Sequence, residues 1–140
     1  MTIFTNVFIS HSWSYSDHYE KLSEWIFDGV WNSNGTPLTF TNTSVPKDDP
    51  IHNAPLVRDL REAIYARIIA SDVIVIPTGM YANYSKWIGE EIEGAAAFSK
   101  PILAVNPWGQ QMKSTVVQNA AKETVGWTSE SVVNGIWRLR

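Results

Sequence analysis

The 140-residue chain contains no cysteine, so disulfides, thiolate metal sites and cysteine nucleophiles are excluded together. A basic surplus is also missing. Eleven lysines and arginines stand against 14 aspartates and glutamates, and a net charge of -3 offers no field to hold a polyanion, which argues against a nucleic-acid partner. No apolar run approaches the ~18 residues of a membrane-spanning helix. The stretch MTIFTNVFIS lacks the basic segment and apolar core of an export signal, so a cytoplasmic protein without membrane contact is expected. No G-x-G-x-x-G follows the first apolar run and no G-x-x-x-x-G-K-[ST] occurs anywhere, which removes the common dinucleotide and phosphate cradles. His11, His18 and His52 have no carboxylate three or four residues on, so no metal site is expected.

What is present fits one globular unit. With 44% hydrophobic and 18% charged residues, disorder and coiled coil are disfavoured, and one domain over residues 1–140 is expected. Seven tryptophans in so short a chain call for a use, since aromatics serve stacking surfaces as well as cores.

Apolar runs alternate with amphipathic stretches, the pattern of strands crossed over by helices. The spacing predicts strands at about Ile3 to Ser10, Pro37 to Thr43, SDVIVIP, PILAVNP and a short edge strand in ETVGW. Helices are predicted from a Ser16 cap to about Gly29, from about Ala54 to Ala70, from Ser85 to Phe98, around Ser114 to Ala121, and after a Ser129 cap. SVPKDDPIHNAP holds three prolines and is a loop. These elements make a flavodoxin-like α/β three-layer sandwich whose five-stranded parallel sheet has the order 2-1-3-4-5. Ligands of such sheets bind where the winding reverses, here between the loops after Ser10 and Pro77.

VFISHSW delivers Ser10, His11, Ser12 and Trp13 to that crevice. A phosphoacceptor domain of this topology would end its first and third strands in carboxylates; Ser10-His11-Ser12 and Pro77-Thr78 stand there instead. In YANYSKWIGEEIEGAAAF, Trp87 and Glu91 share one helix face four residues apart, beside a sheet-facing stripe of Ile88, Ile92 and Ala95. Glu91 is expected at the border of core and solvent, where a low dielectric strengthens its grip on ligand hydroxyls.

VFISHSW, the Pro- and Asp-rich loop, ASDVIVIPTGMYANYSKW leading into W-I-G-E-E, and KPILAVNPWG together resemble Toll/interleukin-1 receptor (TIR) domains. More closely, they are similar to the prokaryotic TIR-like family that includes Thoeris antiphage sensor subunits. The resemblance runs over nearly the whole chain. It implies cleavage of NAD+ at the nicotinamide–ribose bond, with Glu91 as the catalytic glutamate and Trp87 shaping the nicotinamide end. It further implies cyclisation of ADP-ribose into a signal for an antiphage effector, reached through a diffusible nucleotide. A phage-derived trigger or self-assembly would switch it on, and NAD+ is the substrate, so no cofactor is expected. Asp48, with Lys47 and Asp49, matches the loop that gates the pocket.

The chemistry is consistent on its own terms. Nicotinamide leaves a cation as a neutral group, so no general acid is required, and a carboxylate can stabilise the oxocarbenium-like sugar while holding its hydroxyls. For the other residues two uses stay open. Ser10, His11 and Ser12 either contact ligand or satisfy backbone ends. Trp13 either stacks an adenine or lies on the first helix, and Trp87 either walls the pocket or simply packs. Asp48 is a gate or a soluble turn, and Tyr84 lines the pocket or lies on the surface. A non-catalytic TIR interaction module is the alternative function; a nucleoside-processing enzyme of the deoxyribosyltransferase type is a third.

Overall fold

The computed structural model describes residues 2–10, 17–44, 57–79, 85–107 and 115–140, with 57–60 and 85–87 described by backbone alone. In chain order the elements are β1 (Ile3–Ile9), α1 (Asp17–Ser23) running on into a π-helical turn (Glu24–Asp28), β2 (Trp31–Ser33), β3 (Thr36–Asn42), α2 (Val57–Ile69) and β4 (Val73–Pro77). Then come α3 (Ser85–Ala97), β5 (Ile102–Val105), α4 (Thr115–Ala120), β6 (Glu123–Val125) and α5 (Ser129–Leu139).

The sheet differs from the five-stranded parallel one expected. It is mixed and six-stranded, in the order β2-β3-β1-β4-β5-β6. β1 lies parallel to β3 and β4, and the parallel pairing continues through β5 to β6. β2 is the addition, antiparallel to β3 at the edge, with Trp31 opposite Leu38 and Ser33 opposite Thr36. Its cause is Asn34-Gly35: both residues have positive φ, 51° and 85°, the backbone a two-residue hairpin turn requires. What reads as a break in NSNG is therefore a hairpin.

Side-chain alternation sorts the strands' apolar residues onto two faces. Val7, Ile9, Val73, Val75, Leu103 and Val105 join Leu22 and Ile26 of the first helix and Val132, Val133 and Ile136 of α5. On the other face, Phe8, Ile74, Ile76, Ile102 and Ala104 pack against Ile64 and Ile68 of α2, Ile88 and Ala95 of α3, and Val117 of α4. Three layers result, as the continuous apolar runs of β4 and β5 require. The chain leaves β1 over one face and returns from β3 to β4 over the other, so the winding reverses between β1 and β4.

Tryptophan is spent partly away from that reversal point. Trp25, Trp31 and Trp127 all pack against the core face covered by α1 and α5. The Trp31 indole Nε1 donates to the Trp25 carbonyl at 2.8 Å, and the Trp25 and Trp127 rings lie 5.1 Å apart. A side chain at Gly29 would meet Trp31 Nε1 at 2.6 Å, so the indole seats only over glycine. The cap of α5 is Thr128 rather than Ser129: Thr128 is extended, its hydroxyl accepting from the Ser131 N–H at 3.1 Å, whereas Ser129 is already helical. Among the described residues, no helix is long and apolar enough to cross a membrane.

Candidate active site

The residues immediately after β1, β4 and β5 are Ser10, Thr78 and Asn106. Each continues the ladder by one bond: Ser10 N–H to the Val75 carbonyl, Thr78 N–H to Val105, and Asn106 N–H to Val125, all at 2.9 Å. Because strand side chains alternate, Ser10 shares the face of Phe8, Thr78 that of Ile76 and Asn106 that of Ala104, the face covered by α2, α3 and α4. Three polar side chains therefore form a row across adjacent strand tips.

Over this row stands α3. Ile88 and Ala95 are fully buried, and Glu91, between them on the same stripe, is buried equally, at 0% exposure. It is thus deeper than the border position expected. A carboxylate there is costly unless hydrogen-bonded, and Ser10 Oγ donates to Glu91 Oε2 at 2.7 Å, with Ser10 also fully buried. Charge-assisted bonds of this kind contribute about 1.5–3 kcal/mol. Elsewhere in the row, Thr78 Oγ1 donates to Asn106 Oδ1 at 2.7 Å, and Gln118 Nε2 of α4 donates to the same oxygen at 3.2 Å. Beside β1, the Ile9 N–H donates to Ser44 Oγ at 2.7 Å, tying down the chain as it leaves β3.

The neighbouring glutamate, its side chain 13% exposed, has a charged partner instead of a hydroxyl. Glu90 takes both ends of a bidentate contact from Arg61 of α2, Nε to Oε2 at 2.7 Å and Nη2 to Oε1 at 2.9 Å. That hydrogen bond, then the charge of Glu90, holds the Arg61 guanidinium pKa above its ordinary value. Burial, followed by the charges of Glu90 and Glu93, raises the Tyr65 phenol. A side chain at Gly94 would approach the Tyr65 ring at 2.8 Å, so α2 and α3 meet closely here and the approach fixes the height of Glu91 over the sheet.

Of the residues singled out in the sequence, Ser10 and Glu91 are brought together. His11, Ser12, Trp13, Asp48 and Tyr84 lie outside the described residues, as do Lys47, Asp49 and the Trp87 side chain. Asn106 and Gln118 were not singled out. The period-two step from Ala104 to Asn106, matching Phe8 to Ser10, was the available signal. Among the described residues, no group of three His, Cys, Asp or Glu side chains could hold a metal ion. A groove of about 430 Å³ lined by Lys100, Pro101, Lys122 and Leu139 sits at the amino end of β5, the far end from Asn106.

An α/β sheet with a buried, hydroxyl-bound glutamate at its winding reversal places that group where open sheets of this class hold ligands, and the fold by itself assigns no one activity. The sequence profile described as "Thoeris protein ThsB, TIR-like domain" matches residues 8–112, and the chain belongs to that family. No curated protein sequence matches the chain significantly. Among solved structures it is similar to the CMP N-glycosidase BcmB of Clostridium botulinum, with a TM-score of 0.51, 11% identity, and coverage of 95% of this chain and 98% of that one. At that identity the likeness concerns the fold.

Proposed function

We propose that this chain cleaves the N-glycosidic bond of a nucleotide, with NAD+ as substrate and the nicotinamide–ribose bond as the one broken. Glu91 is the catalytic residue. The carrying observation is the 2.7 Å hydrogen bond from Ser10 Oγ to Glu91 Oε2, formed between two fully buried groups at the carboxyl end of β1. A carboxylate held in that low-dielectric position stabilises positive charge developing on a ribose and accepts from its hydroxyls. The leaving nicotinamide carries the bond's electron pair away as a neutral molecule, so the step needs no proton donor. Capture of the ribosyl centre by a nucleophile of the same ADP-ribose gives a cyclic product; capture by water gives the linear one. Family membership supports a role in antiphage defence, in which a cyclic product would serve as the signal.

A second reading, cleavage of a pyrimidine nucleotide, draws on the fold shared with the CMP N-glycosidase. Both readings place the sugar at Glu91 and differ in the base: nicotinamide leaves neutral, whereas cytosine takes up the proton released by the attacking water. The deciding experiment is mass spectrometry of nucleotides from phage-infected and uninfected cells carrying the parent chain or Glu91→Gln. Glutamine keeps an oxygen for Ser10 while removing the charge. Nicotinamide and an ADP-ribose isomer accumulating only with the parent are expected; loss of CMP instead selects the second reading. Identical nucleotide pools in all cells would sink both.

A further inference from the structure

We infer that Asn106 and Gln118 form the base-recognition end of this site, taking a planar leaving group that carries a hydrogen-bond donor and acceptor side by side. The inference rests on the nucleotide-cleaving reading above and deepens it. Asn106 Oδ1 is occupied twice, by Thr78 Oγ1 at 2.7 Å and by Gln118 Nε2 at 3.2 Å. These bonds fix both amides and leave Asn106 Nδ2 as a donor and Gln118 Oε1 as an acceptor, neither with a partner among the described residues. Both residues are half-buried, so their spare atoms are open to a ligand while their orientation is set from beneath. Thr78, fully buried, is the positioning residue that supports the pair.

The reach is suitable. Glu91 is anchored at β1 and Asn106 follows β5, two strands away in the sheet. Two inter-strand spacings amount to about 10 Å, comparable to the length of a nucleoside from sugar hydroxyls to the outer edge of its base. A sugar held at Glu91 therefore presents its base towards α4. A primary carboxamide offers its carbonyl to Asn106 Nδ2 and its NH2 to Gln118 Oε1. An aminopyrimidine edge offers the same pair, ring nitrogen and exocyclic amine. Sites that hydrogen-bond a substrate NH discriminate against analogues lacking it because their own polar atoms are then left unpaired.

The test compares paired ligands: the first pair differs in that one NH2, and the second differs also at ring N3, an acceptor in CMP and an N–H donor in UMP. NAD+ is set against its 3-acetylpyridine analogue, and CMP against UMP, each measured for kcat/KM on the parent chain and for calorimetric Kd on Glu91→Gln. The parent is expected to favour the NH2-bearing member of one pair by about tenfold or more; the pair that shows it identifies the base. Gln118→Leu removes the acceptor and should bring a preference for NAD+ to within about twofold, or reduce a preference for CMP to the part that N3 contributes at Asn106 Nδ2. Asn106→Asp keeps an acceptor for Thr78 and Gln118 but loses the Nδ2 donor; it should weaken NAD+ and its analogue alike, and shift a preference for CMP towards UMP, whose N3–H it can accept. Preferences unchanged in Gln118→Leu, or a loss in that variant that is equal for both members, would overturn the inference while leaving Glu91-dependent turnover intact. Turnover surviving Glu91→Gln would instead overturn the catalytic reading, with the Kd preferences still deciding this one. If neither pair binds the folded chain at millimolar concentration, the inference fails.

Discussion

Ser10 and Glu91 stand 81 positions apart in the chain and share a 2.7 Å hydrogen bond in the interior. The bond joins the tip of a central strand to the middle of α3, so it reports on the fold and on the site together. Replacing the serine tests its weight. Ser10→Ala withdraws one donor from a buried carboxylate and should lower unfolding stability by about 1–3 kcal/mol, read from urea denaturation. On a Glu91→Gln background the same change should cost clearly less, since the bond is no longer charge-assisted. Equal costs in both backgrounds would mean the carboxylate is not ionised against Ser10.

The height of α3 depends on a missing side chain. At Gly94 a Cβ would lie 2.8 Å from Tyr65 Cε1 and 2.9 Å from Ile68 Cδ1, and both neighbours belong to α2. Gly94→Ala must therefore push the helices apart, at about 1–3 kcal/mol for an overpacked contact, and shift Glu91 relative to the sheet. Turnover should fall more than stability predicts. At Gly135 a Cβ would meet both ends of the fully buried Leu103 side chain, Cδ1 at 2.9 Å and Cδ2 at 3.1 Å. Gly135→Ala should thus also lower stability, but on α5, across the sheet from Glu91, it should lower turnover no more than stability predicts.

These elements show what the sequence makes legible. β4 and β5 could be read because apolar runs such as Val73 to Ile76 mean burial on both faces, whatever the neighbours. The edge strand β2 was hidden because Trp31 to Ser33 is three residues long and its only strong signal is the Asn34-Gly35 turn that follows it. Glu91 could be placed on its helix face but not in depth. Helical spacing gives direction, whereas full burial depends on Ser10 arriving from a strand far away in the chain. The Asn106–Gln118 pair joins β5's tip to a six-residue helix, and neither segment's pattern announces the other.

Glu90 provides the control for Glu91. It is held by Arg61, whose side chain is 48% exposed while its own is 13% exposed, so water and salt screen the pair mainly from the arginine side. Glu90→Gln should leave nicotinamide release near the parent rate, while Glu91→Gln abolishes it. The denaturation midpoint of Glu90→Gln should fall below the parent's, by less as salt rises. A Glu90→Gln variant as inactive as Glu91→Gln would point to helix position, not carboxylate chemistry, as the source of the loss.

His18 contributes to the acid sensitivity expected of this fold. Its ring meets Trp127 edge-on at 5.2 Å, and burial lowers its pKa below the ordinary histidine value, with the charge of Asp17 opposing the shift. The unfolded chain therefore binds a proton at His18 more readily than the folded one, so stability rises with pH across the interval between the folded and unfolded values. The contribution is complete above the unfolded value of about 6.5 and is lost as pH falls below it towards the depressed folded value. His18→Phe keeps an aromatic edge for Trp127 and cannot titrate. Its urea midpoint should decline less than the parent's between pH 7 and pH 5, whereas Asp17→Asn should decline more, because the opposing charge is gone. Parallel pH profiles for the parent and His18→Phe would show that some other group carries the proton.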